Sequence, residues 1–194
     1  MVKPFLIGAA LAAAAVAPAQ ATTVFNLGAP TGETESPGSY SYNFNAGSGA
    51  GSLSFQIQGY RTLDGVNCCT DTLTVALNGV TLLNGSYGLG GGGSDVTNTQ
   101  AAGSTLNVNN GARTIDFSSA VTLLNGANVL SFSYAGAPQG LGDEAWGINS
   151  AVVSGNAFAA VPEPSVWALL ILGFGLVGGA LRSQRKARVA LSYS

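Results

Sequence analysis

The sequence predicts an all-β body, an antiparallel β-sandwich of jelly-roll type, followed by a single C-terminal transmembrane helix. Three observations carry that prediction. Apolar residues alternate with polar ones over long stretches, as in Tyr40, Tyr42 and Phe44 or Leu53, Phe55 and Ile57, which is the period of strands with one buried face. Four Asn-Gly pairs begin at Asn78, Asn84, Asn110 and Asn125, and these residues accept the positive φ of tight hairpins. Val166 to Leu181 contains neither charge nor alternation and is followed by Arg182, Arg185, Lys186 and Arg188.

The first segment is an export signal. Lys3 precedes an apolar run from Phe5 to Val16, and Ala19-Gln20-Ala21 forms an A-x-A cleavage site, so residues 1–21 read as a signal peptide cut after Ala21. The run is short for a membrane span and ends in Ala17-Pro18. Export places the mature chain in an oxidising space.

Composition narrows the classes of function. Of 194 residues 46% are hydrophobic and only 8% charged, so solubility rests on Ser, Thr, Asn and Gly. Between Thr22 and Ala160 the basic residues are Arg61 and Arg113, against Glu33, Glu35, Asp64, Asp71, Asp95, Asp116, Asp143 and Glu144. Such an acidic body repels nucleic acid. Histidine is absent, which removes the commonest general base, the usual zinc ligand and every Ser-His or Cys-His nucleophile pair.

The exported domain covers residues 22–155. After the first two alternating runs come Leu73, Val75 and Leu77, and only Asn78-Gly79 separates Leu77 from Val80, a strong hairpin signal. Further strands are expected at Thr105 to Val108, Thr114 to Phe117, Val121 to Leu124, Val129 to Tyr134 and Ala145 to Val153. About nine short strands with no amphipathic helix point to a sandwich. Val80-Thr81-Leu82-Leu83-Asn84-Gly85 recurs as Val121-Thr122-Leu123-Leu124-Asn125-Gly126; with nothing repeating around it, this is reuse of a strand-and-turn solution within one domain. Gly47 to Gly51 and Gly88 to Gly93 are glycine-rich interruptions, the second leading into the polar stretch Ser94 to Gly103. Neither is a phosphate cradle, since no Lys-Ser or Lys-Thr and no helix follow. The second is a candidate rim for a ligand. Leu124 to Leu130 together with Gly142 to Val152 resembles the closing hairpin of lectin-like jelly-roll modules, which supports the fold alone.

The acids raise two sharper readings. Asp64, Asp71, Asp116, Asp143 and Glu144 are numerous enough for a glycosidase pair, but no aromatic-lined groove accompanies them, and no catalytic residue is assigned. Loop Asp and Asn side chains also supply the oxygen ligands of a structural calcium ion. No D-x-[DN]-x-[DN]-G loop is present, so no metal ligand is assigned from sequence. Trp146 shares a strand face with Ile148 and Val152, which marks core rather than a sugar-stacking platform. Cys68 and Cys69 are adjacent, and neighbouring Cα atoms stand only about 3.8 Å apart, below the usual disulfide range. A vicinal disulfide, free thiols and an intermolecular link all remain open.

Residues 156–161 form a small-residue linker into a C-terminal device at 162–188. Pro162 and Pro164 fix two φ angles and restrict the residues before them, so Val161 to Pro164 is expected to be extended, with Glu163 as a distinctive handle. The helix is expected at about 166–181, which spans roughly 24 Å against a hydrocarbon core of about 30 Å. Trp167 suits the outer interface, and the basic residues over 182–188 set the C-terminus in the cytoplasm. Gly173, Gly175, Gly178 and Gly179 flatten this helix, and Gly175 to Gly179 makes a G-x-x-x-G spacing for docking another helix.

Pro162-Glu163-Pro164-x-x-Trp167-Ala168, then Gly173-Phe174-Gly175-x-Val177-Gly178 and a basic end, resembles the PEP-CTERM sorting signal in its PEPxxWA form. The resemblance implies recognition by an exosortase, a membrane cysteine protease, with the tail removed during passage from the inner membrane to the cell surface or extracellular matrix. It also implies a setting of exopolysaccharide and biofilm. The expected function is therefore a non-catalytic surface or matrix protein whose body is structural or carbohydrate-binding. A secreted carbohydrate-active enzyme and an ordinary single-pass anchored protein are the alternatives.

Overall fold

The computed structural model describes residues 21–158 and 164–190. The apolar signal segment with Ala19, and the motif residues Pro162 and Glu163, lie outside the described residues. The chain divides into two units, 1–158 and 159–194.

The first unit is built from β1 (Thr22–Asn26), β2 (Thr34–Glu35), β3 (Gly38–Ala46), β4 (Gly49–Gly59), β5 (Thr72–Leu77), β6 (Val80–Ser86), β7 (Val96–Gln100), β8 (Thr105–Asn109), β9 (Thr114–Leu123), β10 (Gly126–Ala135) and β11 (Ala145–Gly155). They pair into two antiparallel sheets. One runs β1-β11-β4-β9-β8, with β2 paired to β11, and the other β3-β10-β5-β6-β7. This is the antiparallel sandwich expected from the alternating pattern.

Alternation explains the core directly. Leu53, Phe55 and Ile57 of β4 and Leu130, Phe132 and Tyr134 of β10 turn inward and are buried. Phe55 meets Phe132 of the opposite sheet edge to face at 5.3 Å, and Tyr134 meets Trp146 at 5.0 Å. Offset and edge-on aromatic pairs of this kind add to the apolar burial that holds the sheets together.

Four details differ from expectation. Thr114 to Leu123 is one continuous strand, because all ten residues pair with β4 from Gln58 back to Gly49. The polar stretch after Gly93 contains β7, whose residues are all exposed at a sheet edge; it pairs through its backbone with β6 and so carries no apolar signature. Asn84-Gly85 lies within β6, not in a turn. Finally, Val152 does not share the buried face of Trp146 and Ile148. The register of β11 against β4 slips between Ile148 and Ser150, and the extra residue hands the inward positions to Ala151 and Val153.

The second unit contains α1 (Pro164–Ala190). The helix starts earlier and ends later than 166–181. Pro164 opens the helix rather than extending the chain before it, since a first-turn proline lacks only an N–H that would be unpaired anyway. Among the described residues, no helix is long and apolar enough to cross a membrane.

Candidate functional site

Three places in the molecule bring chemistry-bearing residues together. The first is a loop cluster at one end of the sandwich. Asp64 stands in the β4–β5 connection, Asp71 just before β5 and Glu144 just before β11, and one carboxylate oxygen from each lies within 4.8 Å of the others. Asp71 and Glu144 are buried. Asp71 Oδ1 accepts from the Ser36 hydroxyl at 2.6 Å and Oδ2 from the Asp64 N–H at 3.0 Å. Asp64 Oδ1 accepts from Asn67 Nδ2 at 3.0 Å and from the Gly92 N–H at 2.5 Å. Glu144 Oε1 accepts from the Gln139 amide.

Burial, followed by the negative charges of Asp71 and Asp64, pushes Glu144 up to about 7. Burial also raises Asp71, against the opposing bond from Ser36. The glycine-rich loop packs here through Gly65 N–H to Gly92 O at 2.8 Å and Gly91 N–H to Leu63 O at 3.2 Å. Two acids expected from sequence stay apart: Asp116 accepts from Gln56, and Asp143 from the Thr62 hydroxyl. Buried, crowded carboxylates leave no room for a sugar ring between them, as a glycosidase pair requires.

Beside this cluster, Cys68 and Cys69 stand as thiols with Sγ atoms 2.8 Å apart. The Cys68 thiol pushes its neighbour Cys69 up to about 11.

The second place is the outer face of the sheet containing β4. Cross-strand pairing sets Ser150, Gln56, Asp116 and Asn107 in one row, with Ser54, Ser118 and Thr105 in the next. They line a shallow cleft of about 370 Å³. Gln56 donates to Asp116 at 2.6 Å, and Asn149 donates to Gln56 at 2.9 Å. The neighbouring Phe55 and Phe117 turn to the core, so the cleft offers hydrogen bonds without a stacking ring. Trp146 is buried as well, consistent with a core position. Alternation alone marks these polar residues only as outward-facing. Strand order, which brings four strands' polar rows together, is needed to see the cleft.

The third place is α1. Its side chains from Trp167 to Gly179 are exposed, including Leu169, Leu170, Ile171, Leu172, Phe174, Leu176 and Val177. Ala168, Ile171, Leu172, Gly175 and Leu176 line a shallow apolar groove. A Cβ built at Gly173, Gly175, Gly178 or Gly179 meets nothing within 4 Å. Arg182 is exposed, and Arg185, Lys186 and Arg188 lie on the same helix.

A family model described as the PEP-CTERM protein-sorting motif matches residues 160–186. The tail of this chain is a PEP-CTERM sorting motif. That match coincides with Pro162, Glu163, Pro164, Trp167 and Ala168 and with the helix behind them. No curated protein sequence matches the chain. Among solved structures, it is similar to a family 35 carbohydrate binding module from an environmental isolate at 15% identity, covering 65% of this chain and 73% of that one, with a TM-score of 0.34. A CBM35 from Cellvibrio japonicus Abf62 gives 19% identity over 74% and 94% of the two chains, also at 0.34. The EclA C-terminal domain, a sugar-binding protein, gives 8% over 73% and 82%, again at 0.34. At these scores the architecture rests on the strand order and register of the chain itself.

Proposed function

We propose that this chain is an exported, non-catalytic surface or extracellular-matrix protein, held briefly in the inner membrane by α1 and released by an exosortase acting at Pro162-Glu163-Pro164. The observation that carries the reading is the PEP-CTERM motif at residues 160–186, which takes in most of α1 with its exposed apolar side chains and the start of the basic residues behind them. The uncharged run from Val166 to Leu181 falls a few ångströms short of an average bilayer core, a mismatch met by local thinning and by snorkelling of the arginines. Gly175, Gly178 and Gly179 share one side of the helix and give a flat face for docking a protease's transmembrane helix.

For the body, the polar cleft around Gln56, Asn107, Asp116 and Ser118 supports contact with polysaccharide. Its amides, hydroxyls and single carboxylate match the donors and acceptors of sugar hydroxyls. Mass spectrometry of the cell-associated and released forms, with and without the exosortase, tests the sorting reading. Release of a body lacking residues 166–188 only when the exosortase is present is the expected result. A released body that still carries those residues ends the proposal.

A further inference from the structure

We propose that Asp64, Asp71 and Glu144 form a calcium site that ties together the loops at one end of the sandwich. The cluster itself brings one oxygen from each of three carboxyl groups within 4.8 Å of one another. Such crowding needs a proton or a cation among the carboxylates, and no basic side chain of the described body supplies the charge. Among the described residues of the body the basic side chains are Arg61 and Arg113; Arg61 pairs with Glu33, and Arg113 donates to the carbonyls of Tyr60 and Arg61.

Two buried polar atoms strengthen the case, one on Glu144 itself and one on Tyr134, which lies outside the acid cluster. Glu144, 1% exposed, holds Oε1 on Gln139 and leaves Oε2 without a donor, and a bond between Glu144 and Asp71 requires a proton on one of the two carboxyls. Tyr134, 2% exposed, also leaves its hydroxyl unpartnered, and it is close enough to Asp71 for that charge to act on it. A buried carboxylate oxygen and a buried phenol left without partners each carry a desolvation cost. A cation binding Glu144 Oε2, with a hydration water donating or accepting at Tyr134, removes both.

The donor set selects the ion. Carboxylates, carbonyls and water suit calcium, magnesium or manganese, whereas the chain has no histidine for zinc. Calcium tolerates the irregular geometry of ligands drawn from two separate connections, β4–β5 and β10–β11, while magnesium demands a near-ideal octahedron. The hydrogen bonds already made also fit. Asp71 is held by Ser36 and the Asp64 N–H, and Asp64 by Asn67 and the Gly92 N–H, so supporting groups orient the carboxylates from outside. Through Gly92, the ion secures the glycine-rich loop Gly88 to Gly93 against the body.

The test is calcium chloride titrated into the full chain, purified in detergent and stripped with chelator, and followed by calorimetry and thermal unfolding. One calcium per chain and a rise in Tm of about 5 °C or more are expected at saturating ion. Glu144→Gln keeps the side chain's shape, and Asp64→Asn alters a partly exposed residue; each is expected to weaken binding by about tenfold or more. Metal-free Glu144→Gln should also melt above the metal-free parent, because the crowded charge is gone. Absence of stoichiometric binding overturns the proposal. So does a Tm rise reproduced by potassium chloride of equal ionic strength, or calcium affinity unchanged in both variants.

Discussion

Asn78 donates through Nδ2 to Asn128 Oδ1 at 2.9 Å, joining the β5–β6 turn to the start of β10. Asn128 is completely buried, and all its bonding capacity is used. Oδ1 also accepts from the Leu124 N–H at 2.9 Å, while Nδ2 donates to the carbonyls of Leu124 and Gly126 at 3.0 and 2.9 Å. Asn78 itself sits at φ 52 and accepts from the Val129 N–H at 2.9 Å. The β5–β6 hairpin turn and the β9–β10 connection between the sheets are thereby locked by side chains, alongside the backbone bond from the Asn78 N–H to the Val129 carbonyl at 2.8 Å.

Replacing Asn128 by Ala strands backbone groups that cannot all reach water. The expected loss is about 2–3 kcal/mol. Asn78→Gly keeps the positive φ and removes only its amide bonds, so a loss of about 1 kcal/mol is expected. The double variant should show a coupling of about 0.5 kcal/mol or more. Urea denaturation of the four proteins measures this, and strict additivity would show that the pair does not act as a unit.

The inter-sheet ring contact gives a second expectation. Phe132 is fully buried and meets Phe55 and Tyr42, so Phe132→Ala is expected to cost about 3–5 kcal/mol. Val80 is 64% exposed, and Val80→Ala should change stability by less than about 0.5 kcal/mol. Equal effects in thermal unfolding would mean that the sheets do not pack through Phe132.

The repeated hexapeptide shows what a sequence can and cannot disclose here. Asn125-Gly126 does turn the chain, with Gly126 at φ +91, but between the two sheets and not as the hairpin expected. The identical Asn84-Gly85 runs through the middle of a sheet, where Gly85 pairs with both Leu73 and Thr97. A Cβ at Gly85 would strike the Tyr87 hydroxyl and the Val96 carbonyl at 2.5 Å, so that glycine serves close approach, not a turn. Local chemistry permits both outcomes, and the neighbouring strands decide between them. The same holds for Val152, whose face depends on a single bulge. The tail motif was legible because its spacing is local, whereas Asp64, Asp71 and Glu144 are joined only by the fold.

The adjacent cysteines yield a prediction about reactivity. The neighbouring Cys68 thiol is the largest cause of the rise in Cys69, to about 11. At pH 8 in reductant, little Cys69 is therefore thiolate, and alkylation is slow. Cys68→Ser should lower the pKa of Cys69 and speed its alkylation by iodoacetamide. An unchanged rate would separate the two side chains chemically. We further propose that the exported protein links them as a vicinal disulfide, and two free thiols in the denatured, unreduced released form would exclude it.

Acidity should expose the cluster's repulsion when calcium is withheld. Burial and the charges of Asp71 and Asp64 hold Glu144 up at about 7, above an unfolded value of about 4.3, and burial raises Asp71 in the same direction. The folded state therefore keeps a proton that the unfolded state has already lost. Stability from this group is complete below the unfolded pKa and falls as pH rises towards 7. In chelator, Tm should decline from about pH 5 to about pH 7 and then level, and Glu144→Gln should flatten the decline. Saturating calcium at pH 7.5 should restore the lost stability, because the ion replaces the proton as the positive charge among the three carboxylates. A Tm that climbs with pH across this window in chelator would show that Glu144 is stabilised as a carboxylate without any ion.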